Sequence, residues 1–298
     1  MKNGYVLTQN DPEVKIHYQE YGDPGNQTII FIHGFPEYSY AWRDFLGPIS
    51  EQGYHCVAID MRGYHKSSKP RGIKHYRMDH LTDDVKAVIE HFGNKAVVIG
   101  HDWGGAVTWE FAYRYPEYCE AVVVLNCPHR PAFAKNIKES WNLSFRQLKK
   151  SWYIYLFQLP WIPELIMKAK NFSWFEKWGP RKLKNHDEDM KKYKESLSLP
   201  YGLTGPINFY RANIFGEYGR GLVKALMGKM KWHTIPCPAL LLWGEKDMAL
   251  DKGLTKNMDE FFTGSFEKKY YPDASHWLHL DKTAEVKADI LDFLNKLS

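Results

Sequence analysis

Asp102 stands in AVVIGHDWGG, residues 96–105, where a buried apolar run passes into a helical pattern through a turn flanked by Gly100 and Gly104. This is the pattern of a nucleophile elbow, G-x-D-x-G, with a carboxylate at the position that projects from the strand. The glycines permit the sharp turn, because a side chain there would collide with the adjoining backbone. Taken alone, the motif is matched equally well by a solvated loop aspartate or a helix N-cap. A carboxylate nucleophile is ionised at neutral pH and needs no base for its attack, but the ester it forms must be hydrolysed by an activated water. That second step calls for a histidine. His276 lies in YYPDASHW, residues 270–277, just before the last helical pattern, where a strand-to-helix loop would bring it to the same sheet edge. An acid should orient it. Asp247 follows the apolar run 240–244 in the pattern G-E-K-D, which gives the chain order nucleophile, acid, histidine. Glu245 and Asp251 compete for that role; Asp247 is favoured by its motif position.

Hydrolysis of the ester builds negative charge on the Asp102 carbonyl oxygen, and two backbone N–H groups should meet it. One belongs to Trp103, the residue after the nucleophile. The other is expected from Phe35 in the loop HGFPE, residues 33–37, where Pro36 rigidifies the turn through a cis peptide bond. Each such donor is worth about 3 kcal/mol in the transition state.

These residues need a scaffold. Short, β-branched apolar runs at 28–32, 55–59, 96–99, 121–125 and 239–243 read as buried strands of a parallel sheet. Between them lie helical patterns, such as Leu81, Val85, Val88, Ile89 and Phe92 on one face, closed by Gly93. A last helix carries Val286, Ile290, Phe293, Leu294 and Leu297. Alternation of strand and helix predicts a doubly wound, mostly parallel α/β sheet with its site at the carboxyl ends of the strands. The alternation stops after Cys127 and resumes near His233. The interval is aromatic-rich and its apolar spacing suits helices, so residues 1–127 and 233–298 are expected to form the core and 128–232 an inserted helical cap. That interval holds 20 Lys and Arg against 8 Asp and Glu, a net +12, while the rest of the chain carries −7. It is read as a solvated Lys-rich helical surface, with attraction to anionic substrates or an acidic membrane as the alternative.

Together, HGFPE with Trp42 and Arg43, DMRGY at 60–64, GHDWG at 100–104, Asp247 and His276 resemble the α/β-hydrolase-fold epoxide hydrolases, over nearly the whole chain. His65 departs from the small or polar residue often found there. The resemblance implies an α/β-hydrolase fold and a reaction in which an apolar epoxide and water give a vicinal diol through a covalent Asp ester. It further implies two cap tyrosines that bind the epoxide oxygen and donate a proton as the ring opens. Tyr153 and Tyr210 match, with Tyr155 the alternative to Tyr153. Haloalkane dehalogenases share the fold, the Asp, the His and the Trp at 103, but many carry an Asn at the position of Phe35 and some place the acid where Asn126 stands. Fluoroacetate dehalogenases usually carry an Arg where Trp103 stands. A non-catalytic receptor for a hydrophobic ligand is the reading from another class, and it leaves the Asp, His and acid without a purpose.

With 298 residues, 44% hydrophobic and 25% charged, the chain can bury a large core. Its first residues lack the apolar stretch of a signal peptide, and no apolar run reaches membrane-spanning length, so a soluble, cytoplasmic protein is expected. Four cysteines sit singly and read as reduced core residues. Thirteen histidines form no H-E-x-x-H pattern, and His276 with His279 lacks further ligands in sequence, so neither a metal nor a cofactor is expected. His33 and His101 are expected to pack beside the site. Nothing resembles a dinucleotide fingerprint, a phosphate loop or a nucleic-acid module.

Overall fold

The apolar runs become strands because each is buried on both faces, and the five expected from sequence pair as β3 (Thr28–Ile32), β4 (His55–Ile59), β5 (Ala96–His101), β6 (Cys119–Leu125) and β7 (Ala239–Gly244). The computed structural model of the chain describes residues 1–9, 12–180, 183, 185–216, 219, 220, 224, 227 and 234–297. Three further strands complete an eight-stranded sheet: β1 (Lys2–Thr8), β2 (Val14–Tyr21) and β8 (Phe266–Tyr271). The order is β1-β2-β4-β3-β5-β6-β7-β8, with β1, β2 and β4 paired antiparallel and the rest parallel. The three strands without an apolar run lie toward the sheet margins. In β8, alternate residues of FEKKYY face solvent, and lysines on an outer strand also discourage edge-to-edge association.

Alternation along the strands divides the core in two. Ile29, Phe31, Val97, Ile99 and Val123 pack beneath α1 (Arg43–Ser50) and the closing helix Thr283–Asn295. Ile30, Ile32, Val98, Val122 and Val124 pack beneath α2 (Met78–Phe92) and α3 (Trp103–Arg114). The chain runs from β3 outward to β4, then returns to β5 on the other side of β3. That reversal opens a crevice at the carboxyl ends of β3 and β5, where the loop 33–37 and Asp102 lie.

Between β6 and β7 every described regular element is helical: α4 (Arg130–Glu139), α5 (Trp141–Lys150), α6 (Trp152–Phe157), α7 (Ile162–Trp178), α8 (His186–Ser198) and α9 (Thr204–Asn213). Helix α7 is broken by a kink at Ala169 to Phe172. The expected boundary at 232/233 lies outside the described residues. The cysteines are free and buried, as expected; Cys119 and Cys237, apart in sequence, approach with Sγ atoms 3.6 Å apart because neighbouring strands β6 and β7 carry their segments side by side. Among the described residues no helix is long and apolar enough to cross a membrane.

Candidate active site

The turn after β5 holds Asp102 at φ 52°, a left-handed conformation that aims its side chain out of the sheet. Gly104 makes this possible, since a Cβ there would lie 2.3 Å from the Ile32 carbonyl and 2.5 Å from that of His33. The loop after β3 folds over the carboxylate: Phe35 N–H donates to Asp102 Oδ1 at 2.8 Å, and the Phe35–Pro36 bond is cis. Trp103 opens α3, so its N–H is among the first-turn donors that lack a carbonyl partner within the helix.

The loop between β8 and the short helix Leu278–Asp281 brings His276 to the same point. Its Nε2 lies 3.3 Å from Asp102 Oδ2, and its Nδ1 lies 2.7 Å from Asp247 Oδ2. Asp247, in the turn after β7, is only 3% exposed. It accepts hydrogen bonds from Asn126 Nδ2 at 2.7 Å and from the Ala249 and Leu250 amides at 2.7 and 2.8 Å. Burial pushes the Asp247 carboxyl up, but the His276 charge and these donors outweigh it and hold the group below its ordinary range. Burial likewise disfavours a charged His276, yet the Asp247 and Asp102 carboxylates together raise its pKa well above the usual imidazole value. The two other candidate acids point elsewhere: Glu245 pairs with Lys252 and Asp251 with Arg146.

Above this group lies a cavity of about 400 Å³, lined by Asp102, His276, Phe35, Tyr153, Tyr210 and a largely apolar wall that includes Phe157, Met167 and Trp174. Tyr210 comes from α9 and Tyr153 from α6, with ring centroids 6.0 Å apart. Trp103 packs edge-on against Tyr210 at 5.0 Å. Both phenols are raised above their ordinary range, first by burial. For Tyr153 the Asp102 charge is next; for Tyr210 it follows that of Tyr153. Both phenols therefore keep their protons at neutral pH and face the cavity as donors. Tyr155 is 53% exposed and packs toward Phe215, outside the cavity lining.

Two further groups escaped the sequence. Asn126, at φ 46°, clamps Asp247 and also bridges both backbone groups of Gly244. Glu37, fully buried, joins the three segments that carry Phe35, Asp102 and His276. Its carboxylate bonds His101 Nδ1 at 3.0 Å and His279 Nε2 at 3.1 Å, while His101 Nε2 donates to the His276 carbonyl at 2.8 Å. The ligand atoms of Glu37, His101 and His279 converge within 4.8 Å, but they hydrogen-bond one another and act as a buried bridge. His33 is buried too, with Nε2 accepting from the Met61 amide. His65, at φ 33°, stacks on Tyr38 at 4.1 Å, away from Asp102.

Residues 27–283 match the alpha/beta hydrolase fold family. The chain is 36% identical over 294 residues to Epoxide hydrolase 1 of Caenorhabditis elegans, covering 95% of this chain and 69% of that protein. It is 33% identical to Epoxide hydrolase 4 of Homo sapiens, covering 96% of this chain and 78% of that one. It superimposes with a TM-score of 0.83 on a solved mutant of an epoxide hydrolase from Bacillus megaterium, at 28% identity over 98% of this chain and 100% of that chain. With an elbow carboxylate, a histidine and a buried acid at the strand ends of this sheet, the chain belongs to the epoxide hydrolases of the α/β-hydrolase fold.

Proposed function

We propose that this chain hydrolyses an apolar epoxide to a vicinal diol in two covalent steps. In the first, Asp102 Oδ2 attacks an epoxide carbon as the C–O bond opens. Tyr153 and Tyr210 hold the departing oxygen, and one phenolic proton is transferred to it. In the second, His276, oriented by Asp247, takes a proton from water. The water oxygen adds to the Asp102 carbonyl carbon and Oδ1 carries the developing charge against the Phe35 and Trp103 amides. As the ester C–O bond breaks, His276 returns its proton to the departing diol oxygen, and the second water proton, left on the new Asp102 carboxyl, restores the phenol that donated in the first step. The water oxygen therefore stays in the Asp102 carboxylate after the first turnover. Residues 128–232 act as the cap that supplies both tyrosines, and residues 1–127 with 233–298 supply the rest. The four free, buried cysteines fit a reducing, cytoplasmic setting.

The observation that carries the reading is the line of close contacts from Asp102 through His276 to Asp247 beneath two protonated phenols in one apolar cavity. Intact-mass spectrometry after mixing with a styrene-type epoxide tests it. His276→Gln is expected to gain the mass of the substrate and keep it, whereas Asp102→Ala gains none. A histidine variant that never acquires the adduct would remove the covalent scheme. Tyr153→Phe with Tyr210→Phe is expected to abolish adduct formation in the His276→Gln background, and an undiminished adduct would reassign the proton donor.

A further inference from the structure

Helix α5 carries Trp141, Phe145 and Leu148 at i, i+4 and i+7, and the stripe continues to Trp152 where the chain enters α6. These side chains are 86%, 53%, 52% and 53% exposed, while the buried side of α5 is Leu143 and Gln147. The apolar face of this helix is therefore turned outward, against the usual pattern of a surface helix. The stripe is continuous with the cavity: Trp152 meets Trp178 at 6.3 Å, and Trp152, Trp178 and Ile166 are both half-exposed and cavity-lining. The cavity that reaches Asp102 thus opens onto this apolar surface.

Basic residues are interleaved with the stripe. Lys149 is exposed, with its ammonium 4.4 Å over the Phe145 ring, and Lys168 and Lys170 are exposed on α7. None of the three is ion-paired among the described residues. The interval that contains them carries the net +12 already noted, against −7 elsewhere.

We propose that this surface docks on the headgroup layer of an anionic lipid bilayer, with the cavity mouth turned toward the acyl chains. Tryptophan rings settle at the boundary between headgroup and hydrocarbon, and lysine stems lie along apolar surface while their ammonium groups reach lipid phosphates. A protein partner fits less well, because protein–protein interfaces are depleted in lysine. Docking does not depend on the chemistry at Asp102. Only the corollary, that an apolar epoxide enters from the lipid without crossing water, rests on the epoxide hydrolase reading.

The test is sedimentation of the full chain with vesicles of phosphatidylcholine alone or with about one third phosphatidylserine. Each basic residue at an anionic surface contributes roughly 1 kcal/mol, about five-fold in affinity. Binding to the anionic vesicles is therefore expected to be at least about ten-fold tighter, and to weaken by a similar factor as salt rises from about 0.1 M to about 0.5 M. The triple variant Trp141→Ser, Phe145→Ser, Leu148→Ser lies outside the cavity lining. It is expected to bind at least ten-fold more weakly while turning over a water-soluble epoxide at the wild-type rate. Wild-type protein that stays in the supernatant with anionic vesicles overturns the proposal, as does equal binding by the triple variant. Light scattering that shows a dimer abolished by the triple variant assigns the face to a second copy and also overturns it. Vesicle binding without any epoxide turnover supports the docking and sinks the chemical reading instead.

Discussion

Asp102 and Asp247 flank His276 with a negative charge on each ring nitrogen, and this sandwich sets when the histidine can act. In the free protein both charges oppose the effect of burial and hold the His276 pKa well above its ordinary value. Esterification of Asp102 removes one of the two charges and lowers the imidazole pKa just as a base for water is needed. Asp102→Asn imitates that neutral state, and His276 in this variant is expected to titrate below its wild-type value, followed by imidazole proton resonances. The sign for stability follows. The raised His276 pKa contributes fully below the unfolded value of about 6.5 and is lost as pH rises through the folded value. The wild type therefore loses stability relative to Asp102→Asn over that rise, and identical titrations in the two proteins would discard the charge-relief account. Asp247→Asn should slow ester hydrolysis roughly 10³- to 10⁴-fold while adduct formation survives, because it removes the group that fixes the His276 tautomer.

At the scale of single elements, the elbow depends on two backbones touching. The Ile32 and His33 carbonyls that crowd Gly104 belong to β3 and its loop, and neither can yield as a flexible side chain would. Gly104→Ala must therefore push α3 away from β3, at a cost of about 3 kcal/mol or more, and is expected to lower Tm by roughly 6 °C and to misplace Asp102. A thermal melt together with the rate of adduct formation checks both parts, and an unperturbed melt would remove Gly104 from the account. The same elements explain what the sequence made legible. Asp102, Asp247 and Phe35 each follow a legible strand within a few residues, which was enough to set them at one sheet edge, whereas His276, after β8, was placed by the loop that precedes the last helix. Strands β1, β2 and β8 lack the continuous, β-branched apolar run by which the others were found. Asn126 and Glu37 act on partners distant in the chain: Asn126 on Asp247, 121 residues away, and Glu37 on His279, 242 residues away. No local spacing reports such contacts.

At the scale of the molecule, the helical insertion must stay seated on the sheet for Tyr153 and Tyr210 to stand over Asp102. Part of that seating is a polar clamp between α8 and the segment that enters α1. Asp189, 1% exposed, accepts from Arg43 Nη2 at 2.7 Å and from the Tyr40 hydroxyl at 2.7 Å. Asn213, at the end of α9, provides a second clamp. It accepts from the Met78 amide at 2.9 Å and donates to the Tyr76 carbonyl at 2.9 Å. Apolar spacing marked the interval as helical but not the clamps, whose partners lie 146 and 135 residues apart. Removing one side of the first clamp leaves a partly buried guanidinium and a phenol without their acceptor, a loss of about 2–3 kcal/mol. Asp189→Ala is therefore expected to lower Tm by roughly 5 °C. Because Asp189 ties only the insertion to the core, the loss should be local: limited proteolysis would cut first within 128–232 and leave the sheet intact. Adduct formation should slow more than ester hydrolysis, since the tyrosines act in the first step and Asp247 with His276, both outside the insertion, in the second. A variant whose two steps slow in equal proportion, or whose first cuts fall in the sheet, would show that the clamp supports the whole molecule rather than the seating of its helical layer.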